Sequence, residues 1–287
     1  MQGAYRKVYD SWKSDPEGFW REQAKAIDWF REPDRIFDPE MGMYGRWFPD
    51  AVTNTCHNCL DRHVEGGRAD QTALIHDSPV TGTKTSFTYA EMLVEVKALA
   101  ASMADFGIGK GDRVIIYMPM IPEAVMAMLA CARLGAIHSV VFGGFAAAEL
   151  ATRIEDSQAK LVISASCGIE PGRIVAYKPL LDKAIGMVAR PPENTIIVQR
   201  AEQACELVAG RDHDFSELME KNRGRDIACE PVAATDPLYI LYTSGTTGQP
   251  KGVVRDTGGH MVALYWSMHA IYGVKPGEVY WAASDIG

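Results

Sequence analysis

The chain has 287 residues, 47% hydrophobic and 23% charged, close to globular averages. A core of that size excludes intrinsic disorder, a collagen-like rod and a small disulfide scaffold, and the length allows one large or two modest domains. Lys and Arg number 29 against 37 Asp and Glu, a formal net charge of −8. A nucleic-acid binder held by bulk electrostatics shows the opposite sign or a basic tract, and acids interrupt the densest basic stretch, Arg21 to Arg35. No nucleic-acid partner is expected.

Membrane and targeting signals are also missing from the sequence. The longest uncharged apolar-rich stretch, Leu134 to Ala148, is too short to span a bilayer and contains His138 and three glycines. Met1 to Trp20 has no apolar h-region and carries Asp10, Asp15 and Glu17, which argues against a signal peptide or presequence. The six scattered cysteines do not form a disulfide framework, so a reducing compartment, the cytoplasm, is expected. Cys56 and Cys59 have C-x-x-C spacing with His57 and His63 nearby. A zinc site commonly wants a second such pair; the sequence has none, and packing or surface thiols are expected instead of a metal.

In chain order, residues 4–31 read as helical, with Trp12, Phe19, Trp20, Trp29 and Phe30 between charges and a break at Asp15-Pro16. They predict an amphipathic lid packed on a larger body. Residues 32–50 are loop-like. Thr72 to His76 reads as a strand. Thr88-Tyr89-Ala90-Glu91 fits a capping box, ahead of a helix that stops at Gly107. Strands then follow at 113–117, 138–142, 161–164 and 195–198, separated by helices at 122–134, 146–156 and 177–188. This alternation predicts an α/β fold, a parallel sheet with helices on both faces. Ligands in such sheets sit beyond the carboxyl ends of the strands, which directs attention to the loops at 117–121, 142–145, 164–173 and 243–251. From 199 to 236 the pattern loosens into a surface excursion with a short helix near Ser216 to Lys221. A strand at 237–242, a second at 253–255, a helix from Gly259 to Ile271 and a last apolar strand, Val279 to Ala282, complete the reading.

The informative stretch is Thr243-Ser244-Gly245-Thr246-Thr247-Gly248-Gln249-Pro250-Lys251-Gly252. Two glycines let successive amides point into one concavity, an anion nest. Ser244 and the threonines add hydroxyl donors, and Lys251 adds a point charge for phosphate oxygens. Pro250 fixes where the lysine emerges. Neither G-x-x-x-x-G-K-[ST] nor G-x-G-x-x-G is matched here, which sets kinase-like and dinucleotide folds aside. Gly107-x-Gly109-x-Gly111 precedes a strand and reads as a helix stop and turn. Gly, Ser and Thr between two strands also describe an ordinary flexible hairpin loop, and composition alone does not separate the two readings.

The ten residues Thr243 to Gly252 resemble the signature of the adenylate-forming superfamily, which includes acyl-CoA synthetases, peptide-synthetase adenylation domains and luciferases. Residues 5–30 resemble the N-terminal helical extension of short-chain acyl-CoA synthetases. Asn58 to His63, Val140 to Phe145 and Arg153-Ile154-Glu155-Asp156 are similar to that branch too. Within it, Glu170-Pro171-Gly172-Arg173 and Gly252 to His260 resemble propionate–CoA ligases more than acetate–CoA ligases. The resemblance divides the chain into an N-terminal extension, 1–60, and part of an AMP-binding domain, 61–287. It implies activation of a short-chain carboxylate, propionate or acetate, by ATP with Mg²⁺, and transfer of the acyl group to coenzyme A (CoA).

On that resemblance Thr243, Ser244, Gly245, Thr246, Thr247, Gly248 and Lys251 hold the ATP phosphates. Phe142, Gly143 and Gly144 flank the CoA adenine, the glycines allowing close approach. Glu170, Pro171, Gly172 and Arg173 meet its phosphorylated nucleotide end, where an arginine fork suits phosphate. His138 is expected in the core, the methionines between 118 and 128 as packing, and Asp61 and His63 as structural. The family's adenylation lysine lies in a C-terminal domain, so no catalytic residue is assigned here. The 287-residue chain is expected to be an N-terminal portion inactive alone, with incomplete adenine and acyl pockets. Competing readings are an adenylate former outside the CoA branch and a non-catalytic nucleotide-binding module; CoA binding separates the first of these. Oligomeric state is not legible.

Overall fold

The computed structural model describes residues 4–243 and 250–286. Two short helices come first, α1 (Ala4–Ser14) and α2 (Pro16–Ala24). The break between them is chemical: the Asp15 carboxylate accepts from Gly18 N at 2.9 Å, and Pro16 opens α2, where a missing N–H costs nothing. An antiparallel hairpin, Thr72–Ser78 with Thr83–Thr88, leads into α3 (Tyr89–Asp105). The predicted capping box forms, with Glu91 N donating to Thr88 Oγ1 at 3.2 Å and Thr88 N donating to Glu91 Oε2 at 2.7 Å. Gly107 takes φ +73° just past the helix.

The main sheet has seven strands: β1 (Arg113–Met118), β2 (Ile137–Phe142), β3 (Leu161–Ala165), β4 (Asn194–Val198), β5 (Asp212–Asp214), β6 (Pro237–Thr243) and β7 (Lys251–Asp256). Their spatial order is β5-β4-β3-β1-β2-β6-β7. Pairing is parallel from β5 through β6, and β7 returns antiparallel to β6. The helices between and after them are α4 (Pro122–Arg133), α5 (Ala147–Ser157), α6 (Tyr177–Ile185), α7 (Phe215–Asn222) and α8 (Gly258–Ala270).

The central strands read as unbroken apolar runs because both faces are covered. Val114, Ile116 and Met118 of β1 join one core with α3, α4 and α7, while Ile115 and Tyr117 join another with α5 and α6. A smaller third core holds Ala24, Ile27, Ile36, Phe48 and Val262, with Trp20, Trp29 and Trp47 against it. The N-terminal segment is thus packed on the body, as the aromatic pattern predicts. It is pinned by Asn54, whose amide nitrogen donates to Ala132 O at 2.8 Å and Glu230 O at 2.9 Å. The Asn54 amide oxygen accepts from Cys56 N at 2.8 Å.

Several expectations change. The helix predicted for 177–188 ends at Ile185, where Gly186 forms its C-cap. The loop at 164–173 contains an antiparallel hairpin, Cys167–Glu170 with Arg173–Ala176. The excursion after 199 contributes β5 to the sheet edge. Val279 to Ala282 is irregular and exposed; no strand partner holds it. No helix among the described residues is long and apolar enough to cross a membrane.

Candidate functional site

Parallel pairing gathers the carboxyl ends of β1, β2 and β3 at one end of the sheet. Met118 lies opposite Phe142, and β6 joins β2 in parallel through Tyr239 opposite His138. Continuing that register brings Thr243 level with Phe142. The predicted phosphate loop, the Phe142–Gly144 segment and the 167–176 hairpin therefore leave the sheet from the same end.

The loop's neck is the last pair of the β6–β7 hairpin, Thr243 opposite Lys251. Thr243 Oγ1 donates to Lys251 O at 3.5 Å. Both residues are exposed. Ser244, Gly245, Thr246, Thr247 and Gly248 lie outside the described residues. Gly252 is covered by Ile240 and Tyr242: an added Cβ would lie 3.0 Å from Ile240 Cγ2 and 3.2 Å from the Tyr242 ring.

The second segment turns immediately after β2. Phe145 N donates to Phe142 O at 3.2 Å, and Gly144 takes φ +91°, a conformation that favours glycine. Tyr117 Oη donates to Phe145 O at 2.9 Å, holding the turn against β1. Phe142 itself is 43% exposed. The Tyr177 ring explains the glycines. A Cβ on Gly143 would stand 2.5 Å from Tyr177 Oη, and one on Gly168 would also collide with that hydroxyl. The side of Gly143 where a Cβ would stand is therefore filled by the protein's own tyrosine. Tyr177 is fixed in turn, its backbone N donating to Ser166 O at 3.0 Å and its ring centroid 4.9 Å from that of Tyr117. Burial, then the Glu170 charge, pushes the Tyr177 phenol up to about 12, and burial raises that of Tyr117.

The third segment is the hairpin turn Glu170-Pro171-Gly172-Arg173, with Gly172 at φ +79°. Arg173 Nε lies 2.6 Å from Glu170 Oε2, both side chains largely exposed. The hydrogen bond that Arg173 donates to Glu170, and then the Glu170 charge, pushes the guanidinium above its ordinary value. With Nε engaged, the two terminal nitrogens of the fork remain the groups suited to phosphate oxygens. The Tyr177 ring thus lies between Gly143 of the first segment and Gly168 of the hairpin that carries Glu170–Arg173, and sequence reading did not single it out. No sequence signal marks it, because its function is to fill the volume two distant glycines leave open.

Of the methionines read as packing, Met118 and Met126 are buried, but Met120 is 48% exposed, because it lies in the turn after β1 and not on the helix face that packs on the sheet. His138 is 7% exposed on β2 and stacks near Tyr239, with burial lowering its pKa to about 4. Asp61 forms a two-pronged ion pair with buried Arg133, at 2.9 and 3.0 Å. Around it the thiols of Cys56 and Cys229 and the Asp61 carboxylate lie within 4.8 Å of one another. Arg133 already engages both Asp61 oxygens, and Nη1 lies 3.5 Å from Cys56 Sγ. The cluster is thus built around a guanidinium, and Cys56 meets Cys229 there.

A family model described as AMP-binding enzyme matches residues 60–287, and one described as acetyl-coenzyme A synthetase N-terminus matches residues 5–59. The mitochondrial acyl-CoA synthetase short-chain family member 3 of Homo sapiens is 50% identical over 284 residues, 99% of this chain and 41% of that protein. The propionate–CoA ligase of Escherichia coli K12 is 43% identical over 284 residues, 99% of this chain and 45% of that protein. Among solved structures, acetoacetyl-CoA synthetase from Streptomyces lividans superposes with a TM-score of 0.86 at 24% identity, over 96% of this chain and 42% of that one. The chain thus spans less than half the length of the relatives it matches. It belongs to the AMP-binding enzyme family, whose model matches most of its length.

Proposed function

We propose that this chain provides the phosphate loop and part of the CoA site of an AMP-forming short-chain acyl-CoA synthetase, with propionate the favoured acid. In the first half-reaction a carboxylate oxygen attacks the α-phosphorus of MgATP, and pyrophosphate leaves. In the second the CoA sulfur attacks the acyl carbon, its proton is lost, and AMP leaves. The carboxylate needs this route because its own oxygen is a poor leaving group until phosphorylated. The residues at 243–251 hold the β- and γ-phosphates, where hydrogen-bond donors of the loop and the Lys251 charge stabilise the departing pyrophosphate. Arg173 takes the phosphorylated nucleotide end of CoA, and Phe142 to Gly144 lie along its adenine. The oxygen donors of Thr243 and the loop hydroxyls suit the hard Mg²⁺ ion that arrives with ATP.

The observation that carries this reading is the emergence of all three segments from one end of the sheet, with the Tyr177 ring between glycines of two of them. Calorimetric titration tests it. CoA is expected to bind the 287-residue chain more tightly than 3′-dephospho-CoA, and Arg173→Ala to erase the difference. Absence of CoA binding would overturn the assignment. Propionate is favoured over acetate on the flanking residues 170–173 and 252–260 and on the 43% identity to the propionate–CoA ligase. Propionate-dependent ATP–pyrophosphate exchange below the acetate-dependent rate, in the protein containing this chain, would reverse that preference.

A further inference from the structure

Arg153 on α5 is 6% exposed and pairs with the half-exposed Glu149 carboxylate, its one carboxylate partner among the described residues. Its guanidinium carbon stands 5.2 Å from the ring centroid of Phe145 and 5.6 Å from that of Tyr242. Nη1 also donates to Glu149 O at 2.7 Å and Glu149 Oε2 at 2.9 Å, which fixes the plane of the fork. Asp156, a turn further along α5, accepts from Tyr242 Oη at 2.6 Å. One helix thus holds Tyr242 by its ring and by its hydroxyl.

The two rings belong to different parts of the candidate site. Phe145 closes the turn after Gly143 and Gly144, and Tyr242 is the last residue before Thr243 at the neck of the phosphate loop. The registered pairing of β6 to β2 is one residue pair, Tyr239 with His138, against six pairs between β6 and β7. Side chains therefore add to that short pairing in setting where the loop-bearing hairpin lies. A buried apolar residue would fill the space between two rings at less desolvation cost than a cation. Only a guanidinium can face two rings and keep a fixed hydrogen bond to Glu149.

We propose that Arg153 is a positioning residue that ties the phosphate-loop strand to the Phe142–Phe145 segment, so that a change on β6 is felt at the CoA site. The proposal rests on the CoA assignment made above. It gives a role to the first member of the Arg153-Ile154-Glu155-Asp156 run; the last, Asp156, makes a separate contact to the Tyr242 hydroxyl.

Binding of CoA to the 287-residue chain is measured for the parent, Tyr242→Leu, Tyr242→Phe, Arg153→Leu and the double variant Arg153→Leu/Tyr242→Leu. Tyr242→Leu removes a ring from the phosphate-loop strand. It is expected to weaken CoA binding roughly two- to fivefold, the worth of one cation–π contact. Tyr242→Phe keeps the ring and loses the Asp156 bond, and it is expected to bind CoA as the parent does. The double variant is expected to bind no more weakly than Arg153→Leu. Parent-like CoA affinity in Tyr242→Leu, or additive losses in the double variant, overturns the proposal. If the Arg153 variants do not fold, Tyr242→Leu against Tyr242→Phe decides alone. If the parent does not bind CoA, the functional assignment falls, and hydrogen exchange then reads the tie directly. Loss of amide protection at 143–146 in Tyr242→Leu but not in Tyr242→Phe supports it; unchanged protection overturns it.

Discussion

Arg133 illustrates what a single residue carries in this fold. Its fork is spent on the Asp61 carboxylate, and its Nε donates to Ile227 O at 2.5 Å. Removing one partner strands a charge in the core, so Asp61→Asn is expected to cost about 3–5 kcal/mol, read from urea unfolding. Replacing both, Asp61→Leu with Arg133→Met, should cost less than either single change. His138 predicts a pH dependence. Burial holds its folded pKa at about 4 against an ordinary 6.5, so below 6.5 the unfolded chain binds the extra proton. Stability should therefore be full above pH 6.5 and fall as the pH drops toward 4, by roughly 1 kcal/mol per unit late in that window. His138→Leu should flatten that limb of the unfolding curve; an unchanged limb would place the titration elsewhere. His63, lowered to about 4 by burial and then by Arg62, acts in the same direction. The core placement of His138 was legible, because it lies in an apolar strand. The meeting of Cys56 with Cys229 was not: C-x-x-C spacing draws attention to Cys59, and nothing local reports a thiol so far along the chain.

Among the elements, α3 is the clearest case of sequence dictating structure. Thr88 and Glu91 sit at the spacing of reciprocal caps, and the Glu91 carboxyl is held below its usual range by the Thr88 N–H and then its hydroxyl. Thr88→Ala should cost about 1 kcal/mol, measurable by thermal unfolding. Strand β5 is the opposite case. Asp-His-Asp carries no strand signature; it is recruited by pairing with β4 and by buried Asp212, which accepts from Thr195 Oγ1 at 2.7 Å and meets Lys178 Nζ at 2.9 Å. The hairpin at 167–176 was equally silent, since its register depends on the Tyr177 ring seated between glycines of different segments. Gly168→Ala should push that ring out of place at about 1–3 kcal/mol, with a matching fall in the melting temperature. An unshifted transition would mean that the ring has another place to go.

Across the whole molecule, the parallel order of β5 to β6 follows from strand–helix alternation, and the site's location at the carboxyl ends of the strands follows from that order. What the alternation did not specify is how the last hairpin, β6–β7, is held. Apolar side chains remain exposed on β7, on α8 and after it: Val254, Leu264, Tyr265, Ile271, Tyr272, Val279 and Trp281, the last at 82%. Exposed apolar groups favour association where they adjoin. Sedimentation velocity of the 287-residue chain should show association that grows with concentration and reverses in mild detergent. A single sharp monomer boundary at every concentration would contradict this.

Asn54 has a consequence for the order in which the molecule is completed. Its amide reaches carbonyls 78 and 176 positions away, the kind of long-range closure that forms slowly. Synthesis delivers the N-terminal segment first, yet its docking surface is unfinished until residue 230 has been made. The segment ahead of Asn54 must therefore wait, its tryptophans uncovered, for a surface that is made well after it.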